Sequence, residues 1–141
     1  MSQEVATLEA LRAASQAASF NRWANFEVVR AEAGEAELRM PWRAEDMGQY
    51  SGFLHAGMIA ALLDTACGFA ASTVAGVVLA SHFSVDCLSP AIGEAFVVQS
   101  KVIKAGRKQV FTSAELFGET NGARKLVAVG NAILIPVSDS E

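Results

Sequence analysis

The sequence predicts a single α+β domain in which an antiparallel β-sheet wraps around one long central helix. The first observation is the length of 141 residues, which is close to the commonest size of a single domain. The second is a long apolar segment with helical spacing near the middle of the chain. The third is a set of strand-like segments on both sides of it, joined by short turns that favour antiparallel pairing.

This domain is expected to cover residues 1–141, because no linker, repeat or low-complexity segment divides the chain. It begins with an N-terminal helical extension over residues 1–19, in which residues 6–18 form an Ala-rich helix. Glu4 and Glu9 stand where a secretion signal would have a basic segment and an apolar core. We therefore expect no secretion signal and a cytoplasmic protein.

The segments before the long helix are predicted to be mainly extended. Residues 20–31 are expected to form one extended segment, followed by a turn at Gly34. Residues 36–42 alternate between apolar and polar side chains, as a half-buried strand does. The face predicted to be buried consists of Ala36, Leu38, Met40 and Trp42. Residues 43–54 are polar and contain glycine, which is typical of a functional loop.

The long helix is predicted to begin near His55. Residues 57–80 are apolar enough to suggest a membrane span, but Asp64 would cost roughly 2.5–3.5 kcal/mol inside a bilayer. We therefore expect a helix buried within a soluble protein that has no membrane partner. Its predicted core face consists of Ile59, Leu62, Leu63, Ala66, Phe69, Ala70 and Thr73. A second stripe, open to a ligand or another backbone, consists of Gly57, Ala60, Ala61, Asp64, Gly68 and Ala71.

Four strands are predicted after the helix. The first covers residues 79–87 and alternates between two faces, one of which is expected to carry Leu79, Ser81, Phe83, Val85 and Cys87. The other three cover residues 94–105, 108–118 and 124–136. Hairpin signals at Gly106–Arg107 and Thr120–Gly122 separate them.

The composition excludes several classes of function. The net charge is −4, so no global positive potential recruits nucleic acid or an anionic membrane. Cys67 and Cys87 match no metal or redox spacing, and we expect two reduced, buried thiols and no metal or other cofactor. Hydrophobic residues make up 52% of the chain, an excess that indicates a buried subunit interface.

His55, Gly57 and Asp64 are the candidate catalytic residues. Backbone N–H groups in a first helical turn lack intrahelical partners and favour negative charge, so Gly57 could donate to a developing oxyanion. An acid within an apolar helix loses hydration unless it is paired or functional, which favours a chemical role for Asp64. Close packing would also explain Gly57, and a cap or core role would also explain His55.

The spacing of these residues predicts an oligomer. Seven helical residues advance about 10.5 Å, so Asp64 shares a face with Gly57 but lies two turns away. Within one chain its carboxylate is badly placed to attack a carbon held at the Gly57 amide. Two antiparallel helices about a two-fold axis would bring Asp64 of one subunit beside Gly57 of the other.

The motif resembles the PaaI-type (phenylacetyl-CoA-type) hotdog-fold acyl-CoA thioesterases over about residues 20–136. The residues that carry the resemblance are Gln49, His55-Ala56-Gly57, Asp64 and Leu88-Ser89-Pro90-Ala91. The resemblance implies a hotdog fold, a homodimer or homotetramer, no metal, and hydrolysis of acyl-CoA. It also implies that Asp64 is the nucleophile or general base, Gly57 the oxyanion donor and His55 an orienting residue.

Three positions depart from the pattern of that family. Ala56 replaces the first glycine of the usual HGG motif, and Gln49 stands where asparagine is common. Gln49 keeps an amide that is expected to help hold the lytic water. The small hydroxyl residue often found early in the next strand would fall near Ala80, with Ser81 beside it as the candidate substrate-binding residue.

Arg107 is a second candidate substrate-binding residue, in the basic turn of residues 104–108. Its planar guanidinium suits the phosphates of CoA, and a solvated hairpin tip is the alternative. The sequence contains no phosphate-binding loop, and no serine stands in a GxSxG context. Two alternatives to a thioesterase for an aromatic or medium-chain acyl group remain: a non-catalytic acyl-CoA-binding hotdog module and, less favoured by the motif spacing, a hotdog hydratase or dehydratase.

Overall fold

The structure is a computed structural model of the chain, and it describes residues 4–137. The helices are α1 (Leu8–Ala17), α2 (Ser19–Ala24), α3 (Ala44–Met47) and α4 (Ala56–Ala75). The strands are β1 (Glu27–Glu32), β2 (Glu35–Pro41), β3 (Val78–Cys87), β4 (Ala95–Ala105), β5 (Val110–Thr120) and β6 (Ala123–Pro136). A short 3₁₀ turn, Tyr50–Gly52, lies in the loop before α4.

The strands form one antiparallel sheet in the order β1-β2-β4-β5-β6-β3. β1 and β3 are the edge strands in the part of the chain that the structure describes. α4 packs across one face of the sheet and contacts all six strands. Asn121 and Gly122, between β5 and β6, have φ angles of 50° and 79°, as a tight hairpin between twisted strands requires. The predicted α+β architecture, the hotdog fold, is confirmed.

The core lies between α4 and the sheet. The buried residues of the helix are Met58, Ile59, Leu62, Leu63, Ala66, Cys67, Ala70, Ala71 and Thr73. The Ser100 hydroxyl of β4 donates to the Ala66 carbonyl at 2.7 Å and so fixes the middle of α4 on the sheet. α4 has 20 residues and is apolar enough to cross a membrane by length and composition alone. Its packing against the sheet identifies it as a core helix.

The extended segment predicted over residues 20–31 is wrong in its first part. Residues Ser19–Ala24 form α2, and β1 begins only at Glu27. Phe20 and Trp23 are three residues apart, which places them on one helical face, and their ring centroids lie 5.8 Å apart. Asn25 ends the helix in the left-handed conformation, with a φ of 61°.

The predicted alternation of β3 is also wrong at its start. The pairing with β6 shifts between Ala80 and His82, so Ser81 occupies a β-bulge. Ala80 and Phe83 therefore both pair with buried residues of β6, and Ala80 rather than Ser81 shares the inner face with Phe83. A bulge adds one residue to one strand, which reverses the alternation on one side of it.

β3 is exposed or half-buried along its whole length. Cys67 is buried, and burial raises the pKa of its thiol to about 11. Cys87 is exposed, so the expectation of two buried thiols is wrong for this residue. The cause is its position at the end of an edge strand, where α4 does not cover it.

Candidate active site

The first turn of α4 is an exposed helix start that its own cap holds in place. His55 is the N-cap residue, and its Nδ1 accepts a hydrogen bond of 2.8 Å from the Gly57 N–H. The His55 N–H donates to the Met47 carbonyl at 2.9 Å, which ties the helix start to the preceding loop. Because His55, Ala56 and Gly57 are exposed, this end of α4 presents the positive end of the helix dipole to solvent.

The cap has two consequences for Gly57. A Cβ at this position would lie 3.0 Å from Nδ1 of His55, so alanine would push the imidazole away. The cap also occupies the N–H that the sequence predicts as the oxyanion donor. A substrate oxygen can accept from it only when the His55 ring rotates away or shares the proton. The neighbouring Ala56 N–H donates to no acceptor within residues 4–137 and offers a second donor at the same place.

Gln49 lies beside this helix start. Its Nε2 donates to the Leu54 carbonyl at 3.1 Å, which fixes the side chain on the loop before α4. Gln49, Ala56, Cys87 and residues 88–91 line a cavity of about 320 Å³, which we call the helix-start cavity. The structure thus brings together three parts of the sequence motif: the amide side chain, the helix start and the end of the strand that follows α4.

Asp64 faces a second cavity, of about 220 Å³, which we call the Asp64 cavity. Its other walls are Thr65, Gly68, Phe69, Ser72, Val78, Leu79, Ala80 and Leu134. The carboxylate is half-buried, and burial raises the pKa of Asp64 above its ordinary value. No hydrogen bond or ion pair to the described residues compensates for this loss of hydration. Asp64 is therefore available as a base or a nucleophile.

The two cavities are separate within one chain. The helix-start cavity and the Asp64 cavity lie at opposite ends of β3, the first at Cys87 and the second at Val78–Ala80. Along α4, Gly57 and Asp64 are about 10.5 Å apart. A single chain therefore does not bring the carboxylate to the helix start.

The two predicted substrate-binding residues lie outside both cavities. The Ser81 hydroxyl donates to the Ile133 carbonyl at 3.3 Å, and Ala80 takes the position beside Asp64. Arg107 is exposed in the turn between β4 and β5. Val110, the first residue of β5 after this turn, pairs with Leu134 of β6, and Leu134 lines the Asp64 cavity. The turn therefore lies at the same end of the sheet as that cavity.

Two features of the site were not assigned a role from the sequence. Cys87 was expected in the core but lines the helix-start cavity, and Gly68 lines the Asp64 cavity. The position of Gly68 in the small-residue stripe of α4 was the sequence feature that could have placed it in the site. Within residues 4–137, no group of three or more His, Cys, Asp or Glu side chains is arranged to hold a metal ion.

Several known proteins are similar to this chain in sequence and fold. A thioesterase family protein from Silicibacter pomeroyi is 30% identical, with a TM-score of 0.84 over 89% of this chain and 93% of the other. Zebrafish thioesterase superfamily member 2 is 25% identical, with a TM-score of 0.81 over 94% and 99%. A Saccharolobus solfataricus protein, provisionally named an esterase, is 26% identical over 112 residues, which are 78% of this chain and 79% of that protein.

Residues 51–124 match the thioesterase superfamily, and this range contains the helix start, all of α4 and strands β3 to β5. The cap at His55, the carboxylate of Asp64 and the cavity that it faces all lie within the matched part. This match covers more than half of the sequence, and the Silicibacter pomeroyi thioesterase family protein is 30% identical. The chain therefore belongs to the thioesterase superfamily.

Proposed function

We propose that this protein is an acyl-CoA thioesterase of the PaaI type, which hydrolyses an acyl thioester to a free acid and CoA. The observation that carries the proposal is the half-buried carboxylate of Asp64, which faces an open cavity and has no partner among the residues that the structure describes. A structural acid in an apolar helix is expected to have hydrogen bonds that compensate for its desolvation. Membership of the thioesterase superfamily supports thioester hydrolysis.

In the proposed reaction, the thioester carbonyl oxygen accepts hydrogen bonds from the helix start. The Gly57 N–H is the predicted donor, and the His55 imidazole leaves it or shares its proton as the substrate enters. Asp64 either attacks the carbonyl carbon or takes a proton from a water molecule that attacks it, and the Gln49 amide helps to hold this water. The C–S bond then breaks and CoA leaves as a thiolate, which needs no strong general acid. If Asp64 is the nucleophile, the acyl group stays on it as a mixed anhydride, and a water molecule hydrolyses this anhydride to the free acid and regenerates the carboxylate. If Asp64 is the base, water supplies the oxygen of the free acid directly, and the proton taken up by Asp64 passes to solvent or to the thiolate.

The proposal includes a homodimer in which two chains complete each site. β3 is an exposed edge strand with apolar side chains, including Leu79 and Phe83, whose exposed fractions are 66% and 47%. Such an edge is a template for another strand. If the ten residues of β3 pair in full with a second copy, Val78–Ala80 lie opposite Val85–Cys87 of the partner subunit.

This pairing joins the two kinds of cavity. The Asp64 cavity borders the start of β3 and the helix-start cavity borders its end, so each Asp64 cavity adjoins the helix-start cavity of the other chain. Two equivalent sites result about the two-fold axis. A homotetramer would consist of two such dimers, and nothing in the chemistry requires it.

The remaining parts of the proposal concern the substrate. Arg107 is proposed to contact the CoA phosphates, since its turn is exposed and carries Lys104 and Lys108 as well. Ser81 is proposed to contact the substrate only if its hydroxyl leaves the Ile133 carbonyl. The acyl group is proposed to be aromatic or of medium length, and the protein is proposed to act in the cytoplasm.

The decisive experiment is a panel of acyl-CoA substrates with a thiol-reactive dye that detects released CoA. We expect turnover of at least one aromatic or medium-chain substrate. A second candidate is an acyl-CoA-binding module without turnover, which the occupied Gly57 N–H favours. Calorimetry that detects binding of acyl-CoA, combined with no release of thiol from any substrate, would establish the second candidate instead.

A further inference from the structure

Gly68 is a glycine that the fold of the chain itself does not explain. It lies within the 20-residue helix α4, where glycine is less stable than alanine. A Cβ built at Gly68 would meet no heavy atom within 4 Å. At Gly130, by contrast, a Cβ would lie 2.8 Å from the Ser84 carbonyl oxygen. Crowding within the chain therefore explains Gly130 but does not explain Gly68.

The open space at Gly68 belongs to the Asp64 cavity. Gly68 follows Asp64 by four residues, so it lies on the same face of α4, about 6 Å further along the helix axis. Both residues line the cavity. Beyond the carboxylate, the walls are mainly apolar, with contributions from Phe69, Val78 and Leu134. A polar reacting group is thus followed directly by space with apolar walls.

We infer that Gly68 determines the acyl-chain specificity of this protein, by keeping room for the acyl group one turn beyond Asp64. This inference rests on the proposed thioesterase function. A thioester held at Asp64 has a polar carbonyl and an apolar tail, and the cavity offers the same order of polar and apolar surroundings. The missing Cβ leaves the wall of the cavity open where the tail would lie.

Filling this space should shorten the acyl groups that the enzyme accepts. Gly68→Ala adds one carbon to the wall, and Gly68→Leu adds four. One methylene in an apolar pocket changes selectivity by about 10-fold or more. Gly68→Leu should therefore lower kcat/KM at least ~100-fold for the longest acyl-CoA that the wild type hydrolyses well, and should lower kcat/KM for acetyl-CoA far less.

The experiment measures kcat/KM for a series from acetyl-CoA to dodecanoyl-CoA on the wild type, Gly68→Ala and Gly68→Leu. Val74→Ile is the matched control, because Val74 is exposed on α4 and lines neither cavity. The control should keep the wild-type profile. Gly68→Ala should melt at the same temperature as the wild type or higher, since alanine favours the helix and no atom of the chain obstructs it.

Two results would overturn the inference while the proposed function stands. One is an unchanged chain-length profile in Gly68→Leu. The other is a Gly68→Ala variant that melts at a lower temperature, dissociates, and loses activity equally on all substrates. That result would mean that the partner subunit, and not the acyl group, occupies the space beside Gly68. If the wild type hydrolyses no substrate, calorimetric affinities for the same acyl-CoAs decide the matter. Selective weakening for long acyl groups in Gly68→Leu supports the inference, and equal affinities overturn it.

Discussion

Replacing Asp64 with asparagine tests the proposed chemistry directly, because asparagine keeps the shape of the side chain and removes its charge and basicity. Asp64 has no hydrogen bond or ion pair to lose among the described residues, so the fold should not suffer. A base or nucleophile contributes about 10²–10⁴-fold, so the activation barrier should rise by ~2.7–5.4 kcal/mol. We expect kcat to fall by at least ~10²-fold while acyl-CoA binding remains, as measured by thiol release and calorimetry.

The pH dependence of stability gives this prediction an independent check. Burial raises the pKa of Asp64, so the folded state favours the protonated form, and its contribution to stability is lost as pH rises through the folded pKa. Asp64→Asn should therefore melt at the same or a higher temperature than the wild type near neutral pH. This difference should vanish in acid, where the wild-type carboxyl is protonated too.

Asp46→Asn is the control for Asp64→Asn. Asp46 is exposed on α3 and forms an ion pair of 2.9 Å with Arg43, and such surface pairs contribute little to stability. This variant should keep both its activity and its melting temperature. A folded Asp64→Asn protein with full activity would refute the mechanism. A variant that melts much earlier but keeps the activity of its folded fraction would make Asp64 a structural residue.

Three further predictions concern the assembly, the phosphate contact and the cap. Light scattering at micromolar concentration should show at least a dimer, and an active monomer would contradict the site shared between two chains. Arg107→Ala should raise KM for acyl-CoA more than it lowers kcat. It should hardly affect the hydrolysis of a short thioester that lacks the nucleotide. Equal losses of activity on these two substrates would mean that the turn is structural or catalytic. His55→Ala should lower the free energy of unfolding by ~1 kcal/mol in denaturant titrations, whereas His55→Asn, which can cap Gly57, should lower it by much less. Equal stability of these two His55 variants would show that the cap is unimportant.

Much of the site could be predicted because its residues interrupt a strong local pattern. α4 is strongly apolar along its length, and Asp64 is its one acid, so the physical cost of burying a charge was visible without coordinates. The helix start was recognisable because His55 and Gly57 precede a long apolar run. The structure adds what each does locally: the imidazole caps the helix, and glycine leaves room for it.

Other features depend on relations that a local pattern does not contain. The bulge at Ser81 is a property of the pairing between β3 and β6, and it moves Ala80 to the inner face. The exposure of Cys87 follows from the position of β3 at the sheet edge, because strand order comes from the whole topology. The space beside Gly68 exists only between packed elements that are distant in sequence, α4, β3 and β6.

In the proposed mechanism the substrate itself must open the capped helix start. The imidazole of His55 holds the donor that the proposed oxyanion needs, while the carboxylate of Asp64 has no hydrogen-bond or ion-pair partner within residues 4–137. Within the described residues the Ala56 N–H has no acceptor, and it neighbours the capped N–H of Gly57. In the proposed mechanism a carbonyl oxygen therefore first accepts from Ala56 and then displaces His55 from Gly57. The loss of the cap is offset by the new hydrogen bond, which strengthens as negative charge develops on the oxygen. Stabilisation by the Gly57 amide is then greatest in the transition state, which is the condition for an interaction to raise kcat and not merely to tighten binding.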